Sequence, residues 1–149
     1  MLFRSPSVRL VVHATADAYT EATGLPWYTS GAAAGGSVHL LPLAYLQDRG
    51  LLERTVRRAL VRVLVDTALG DRPEWVRVGA SVYYAEPDGA PPAQPSRPSF
   101  FRLEPRPSCP DDRELRQPAS PGELNAALGR ARSCFSRQVA SGRSWRDVR

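Results

Sequence analysis

The sequence predicts an α+β fold: a small antiparallel or mixed sheet, a central helix, a second helix, a Pro-rich strap and a C-terminal helix. Three observations carry that prediction. Two short apolar, β-branched runs lie ahead of Pro42. Two helix-patterned stretches then follow back to back, and a last one comes after a segment dense in proline. The 149 residues suit a single domain, read as a core over 8–86, a strap over 87–119, and a C-terminal helix and tail over 120–149.

Val8 to His13 is apolar and β-branched, as a strand requires. Thr15 offers an N-cap for a short helix over Ala16 to Thr23, which Gly24 stops. Leu25-Pro26-Trp27-Tyr28 and the small residues Ser30 to Gly36 read as a loop or hairpin turn, and Ser37 to Leu41 as a second strand ended by Pro42. The strongest helix runs from about Leu51 to Leu69, where Leu52, Val56, Leu60, Val63, Leu64 and Thr67 form one stripe at helical spacing. Val61 and Val65 widen its apolar surface, so the helix is expected to be central and packed on several sides, with Gly70 as its stop. Asp71-Arg72-Pro73-Glu74 supplies an N-cap, an early proline and a capping-box acid for a helix to about Ala85.

Eight prolines between Pro87 and Pro110 rule out a regular helix there and predict an extended strap, anchored by Phe100-Phe101. Ser120-Pro121-Gly122-Glu123 opens the last helix, which runs to about Ala140 before Gly142. The chain holds no internal repeat.

Composition narrows the function classes. A hydrophobic fraction of 42% supports a real core, and 23% charged residues is ordinary for a soluble domain. No apolar run approaches the roughly 20 residues of a membrane span, and Met1-Leu2-Phe3-Arg4 does not begin a signal peptide. The net charge is +5, and all 20 basic residues are arginine, a uniformity that points first to genomic base composition. These arginines are scattered from Arg4 to Arg149 without a basic block or interleaved aromatics, so a basic nucleic-acid-binding domain is a minority alternative.

Few residues offer chemistry. Cys109 and Cys134 belong to no CxxC pair, which argues against structural zinc; they allow either one disulfide or two buried thiols. His13 and His39 are the sole histidines. Each sits on an expected strand beside apolar neighbours, with no partner at ligand spacing, and reads as structural. Ser37, Ser81 and Ser133 lack a nucleophile elbow or an adjacent histidine, Cys134 lacks a base, and Gly35-Gly36 is too short to cradle phosphate. Arg54, Arg58 and Arg62 repeat every four residues opposite the leucine stripe. They are expected on a solvated face, with Glu53–Arg57 and Arg62–Asp66 as i,i+4 pairs. The sharper alternative makes Arg58 and Arg62 an anion clamp.

Two segments carry a family resemblance. Thr55 to Asp66 (TVRRALVRVLVD) resembles the active-site helix of gluzincin-type zinc metallopeptidases, whose pattern runs RHELxHVLxD. Arg58 stands at the first His, Ala59 at the Glu and Arg62 at the second His. Pro73 to Tyr83 resembles the PxWLxEGxAxY helix that brings the third ligand: Trp75, Gly79 and Tyr83 match, and Val78 stands at the Glu. Gly24 to Trp27 and Val38 to Leu43 are similar to the substrate-side strand region of bacterial peptidase-MA-like domains. Leu124 to Gly142, with Ala127, Ala131, Cys134 and Phe135, is similar to their closing helix, Leu128 replacing a common Tyr. The similarity covers most of Val8 to Val148.

Such enzymes need two imidazoles one turn apart, a third ligand, and a Glu to deprotonate zinc-bound water. Arginine has no lone pair to give and repels a dication, Ala59 cannot be a base, and Val78 cannot ligate. The resemblance therefore implies a domain without zinc or other cofactor and without catalytic residues. It also implies a vestigial cleft in which an extended peptide or anionic cell-wall-like ligand adds to the Val38–Leu41 strand. The rival readings are a decayed domain with no ligand, and a living peptidase or hydrolase whose site has moved. Because relatives of this kind are commonly exported, a Cys109–Cys134 disulfide is expected. A periplasmic or secreted location follows if a signal peptide precedes this chain, and a cytoplasmic one otherwise.

Overall fold

The computed structural model describes residues 7–86 and 108–149. Its architecture is α+β, with a three-stranded mixed sheet on one side of a long central helix and further helices on the other. The elements are β1 (Arg9–Val12), α1 (Ala16–Thr23), β2 (Gly31–Ala34), β3 (Ser37–Leu40), α2 (Leu43–Asp48), α3 (Leu52–Leu69), α4 (Glu74–Ala85), α5 (Asp112–Arg116) and α6 (Pro121–Ala140). The expected strap and its Phe100-Phe101 anchor lie outside the described residues.

The sheet order is β1-β3-β2. β3 is central, parallel to β1 and antiparallel to β2. The expected loop or turn over Ser30 to Gly36 is corrected in part: Gly31 to Ala34 is a strand, and only Gly35-Gly36 turns. Both glycines take positive φ, 56° and 78°, which a two-residue hairpin turn of matching twist requires. β2 also lies directly on α3, since a Cβ on Gly31 would sit 2.6 Å from the Thr55 methyl.

Several helix ends are set by local chemistry. The Thr15 side chain accepts from the Ala18 N–H and Gly24 closes α1, and Ser120 accepts from the Glu123 N–H with Pro121 in the first turn of α6. The Asp71 cap is corrected: Pro73 precedes α4 and no side chain caps it. The Glu74 carboxylate faces three arginines instead of its own helix end. Two short helices, α2 and α5, are additions to the expected order. Asp111 and Glu114 form a reciprocal capping box on α5.

α3 divides the core. Towards the sheet, Ala59 and Val63 join Tyr19, Val38, Leu40, Leu41 and Leu46. Towards the helices, Val65 and Leu69 join Val76, Ala80, Phe135 and Val148. A further cluster of Val78, Val82, Leu115, Ala127 and Ala131 seals α4, α5 and α6. The expected leucine stripe is thus corrected: Leu60 is 41% and Leu64 58% exposed, and Thr67 is exposed. Sheet and α4 cover two other sides of α3, leaving the Leu60–Leu64 edge outward.

Cys109 and Cys134 are joined, with Cα atoms 5.9 Å apart, tying the residues before α5 to α6. Closing a loop of this length restricts the unfolded chain and is worth about 3–4 kcal/mol. Urea unfolding with and without reductant should differ by about that amount, and thiol titration of unreduced, denatured protein should find no free thiol. Two titratable thiols would refute the bond.

Candidate functional site

A cleft of about 380 Å³ opens between β2, α3, α4 and the α5–α6 end of the molecule. One wall is the outer edge of β2, which has no strand beside it among the described residues. The Leu41 N–H donates to the Ser30 carbonyl, so Ala32 and Ala34 also take hydrogen-bonded positions against β3. The alternation of an antiparallel pair then turns the N–H and C=O of Gly31 and Ala33 away from β3, to the open side. Ser30, at the mouth, is the non-glycine residue with positive φ, 65°, among the described residues. The expected docking strand Val38–Leu41 is corrected here. β3 has a neighbour on each side, and its Leu40 carbonyl already accepts from the His13 N–H.

The floor is α3. Arg58 and Arg62 lie on the cleft side with side chains 28% and 20% exposed, which corrects the expected solvated face. Around them are two ion clusters. In one, Glu86 at the end of α4 accepts from Arg54 at 2.8 Å and from Arg58. In the other, Arg62 donates to Asp66 at 2.8 Å and to Glu74 at 2.9 Å. Arg77 joins both acids, at 3.2 Å from Asp66, and Arg116 reaches Glu74 at 3.5 Å. Glu53 pairs with Arg57 as the spacing expects.

The electrostatics follow from burial set against charge. Burial raises the Glu74 carboxyl, but Arg62, Arg77 and Arg116 outweigh it and hold it below the ordinary carboxylate value. Glu86 is likewise lowered: burial opposes the shift, and hydrogen bonds from Arg54 and Arg58 overcome it. For Arg62, burial disfavours the charge while Glu74 and Asp66 reinforce it, with a net upward shift. Five guanidiniums (Arg54, Arg58, Arg62, Arg77, Arg116) therefore face three carboxylates (Asp66, Glu74, Glu86), two positive charges in excess among the described residues. The Nε atoms of Arg58, Arg77 and Arg132 are buried with no hydrogen-bond partner among the described residues.

No protein-family model matches the chain. No curated protein and no solved structure is similar to it either.

The four positions singled out in the sequence, Arg58, Ala59, Arg62 and Val78, all line this one cleft. Their chemistry does not fit a zinc ion: two guanidiniums, a methyl and an isopropyl group offer no lone pair. His13 and His39 lie elsewhere on the sheet and pair with each other, Nε2 to Nδ1 at 3.0 Å. β1 and β3 run parallel with Val11 opposite His39, so the pairing depended on a register that spacing in sequence could not reveal. No third His, Cys, Asp or Glu gathers with them among the described residues. Ser81 donates to the Arg77 carbonyl, as a structural hydroxyl does. In the sequence Glu74 reads as a capping-box acid and not as a partner of the arginines, and Glu86, at the end of a helix, does not stand out. No helix among the described residues is long and apolar enough to cross a membrane.

Proposed function

We propose that this chain is a catalytically inactive metallopeptidase-like domain whose cleft binds an extended peptide. The reading is carried by one observation: Arg58, Ala59, Arg62 and Val78 converge on a single cleft beside a strand edge that has no partner among the described residues. An added strand would exchange hydrogen bonds with Gly31 and Ala33, the usual chemistry of peptide docking on a sheet edge. Glu74 is the carboxylate lining the cleft among the described residues, and three arginines hold it with no metal-ligand set beside it, so a bound peptide would be held and not cut.

Two measurements test the halves separately. Metal analysis of purified protein should find no stoichiometric zinc, and peptidase assays no turnover; zinc and proteolysis lost together on chelation would refute inactivity. Backbone N-methylation of a bound peptide at the residues facing β2 should weaken binding on the order of tenfold or more, as lost strand hydrogen bonds do. Unchanged affinity after methylation would rule out the strand edge.

A second reading, a decayed domain with no ligand, is favoured by the ion pairs themselves. Glu86, Glu74 and Asp66 already engage the arginines that an incoming acid would seek. The absence of any peptide binding would establish it.

A further inference from the structure

We infer that the cleft selects peptides bearing acidic side chains at alternate positions, an acid-x-acid segment; this rests on the strand-edge reading above. Three observations converge. The first is the distribution of charge. The cluster of Arg54, Arg58 and Glu86 carries one excess positive charge, and that of Arg62, Arg77, Arg116, Asp66 and Glu74 carries another. The excess is thus split into two nodes, headed by Arg58 and Arg62, instead of being pooled in one.

The second is spacing. Arg58 and Arg62 are one turn apart on α3, about 6 Å between Cβ atoms. In an extended strand, residues i and i+2 point to the same face and are about 6.8 Å apart. Gly31 and Ala33 point towards α3, since a Cβ on Gly31 would meet Thr55. Residues of an added strand lying opposite them would point the same way, down onto the two arginine nodes. Ala32 and its counterpart would face away. The all-small sequence of β2, Gly31-Ala32-Ala33-Ala34, leaves no bulk to obstruct those side chains.

The third is the placement of the Arg58 guanidinium. The Arg58 Nε is buried and has no partner among the described residues, while the other end of the guanidinium holds Glu86. That atom is closed to the cleft, as are the Nε atoms of Arg77 and Arg132, so a second carboxylate would be met by the part of the Arg58 guanidinium that stays exposed. Arginine supports this arrangement better than lysine would, because its planar fork can serve two acids at once.

Three acetylated, amidated octapeptides with the same apolar background separate the outcomes: glutamate at positions 4 and 6, glutamine at both, and glutamate at adjacent positions 4 and 5. Titrated by calorimetry against the full chain at low salt, the 4,6-glutamate peptide should bind on the order of tenfold tighter than either of the others. Raising the salt should shrink that margin. Arg54→Gln and Arg116→Gln change the two most exposed cleft arginines, at 58% and 57%, and should narrow the margin with the fold intact by circular dichroism. Arg58→Gln should abolish it. Equal affinity for the glutamate and glutamine peptides would overturn acid selection and leave the strand-edge reading standing. Equal affinity for the 4,6 and 4,5 peptides would overturn the alternate spacing. Failure of all three peptides to bind would overturn both this inference and the peptide-binding reading.

Discussion

Glu74→Ala is expected to destabilise the protein by about 3–5 kcal/mol, the usual result of removing one partner from a buried ion pair. The Glu74 side chain is 9% exposed and is shared by Arg62, Arg77 and Arg116. Its loss leaves Asp66, itself partly exposed, to balance the buried guanidiniums of Arg62 and Arg77. Urea denaturation measures the loss directly, and a change within about 0.5 kcal/mol would remove the network from the forces holding α3 to α4. The same residue sets an acid limb. Its folded pKa lies below the ordinary 4.5, so its stabilisation is complete above the unfolded value and disappears as pH falls through the lower folded one. Glu86 acts in the same direction. The wild type should lose stability below about pH 4.5, and Glu74→Ala should show a shallower loss over that range.

Gly79→Leu should be at least as damaging. α4 and α6 approach so closely at Gly79 that an added Cβ would fall 2.5 Å from the Ala131 carbonyl oxygen and 3.0 Å from the Phe135 Cβ. The first obstacle is backbone, which no rotamer change can clear, so the helices must separate. That would loosen Phe135, which is fully buried, and Val76 and Ala80 beside it. Overpacking ordinarily costs about 1–3 kcal/mol, and a backbone collision across two helices should exceed about 3. Thermal unfolding by circular dichroism checks it. Gly79→Ala should already lower the midpoint, and a variant of wild-type stability would mean that α4 and α6 can part without loss.

Much of the fold was legible because it rests on local chemistry. Thr15, Gly24, Ser120 and Gly142 mark helix ends through caps that involve residues three or four away. α3 was legible as a helix because its apolar periodicity runs for many turns. Its buried face was not. Hydropathy ranked Leu60 and Leu64 inward and Arg58 and Arg62 outward, and the structure reverses both. The reversal comes from Glu74 and Glu86, which lie 12 and 28 residues beyond their arginines and meet them only after α3 and α4 pack. β2 was illegible for a different reason: Gly-Ala-Ala-Ala has no strand preference of its own, and the Gly35-Gly36 turn and β3 impose the conformation. The cleft positions were legible as a set. The outer edge of β2 beside them was not, since strand order depends on β1 pairing across the sheet.

The disulfide has a consequence for how the chain is held together. Cys109 and Cys134 both lie on the C-terminal side of segment 87–107, so the bond secures nothing across it. After one backbone cut within 87–107 the two resulting polypeptides would share no covalent bond, and among the described residues they would meet where α4 packs on α5 and α6, where Val148 enters the α3–α4 core, and through a few polar ties. Those ties are Tyr28 to the Pro118 carbonyl, Arg132 to the Glu86 carbonyl, Arg72 to the Arg146 carbonyl and Arg116 to Glu74. The covalent link makes each part's meeting with the other intramolecular, at a higher effective concentration than two free fragments would have. The cleft spans that boundary, with β2, α3 and α4 from one part and α5 and α6 from the other. Separation of the two parts would therefore open the cleft.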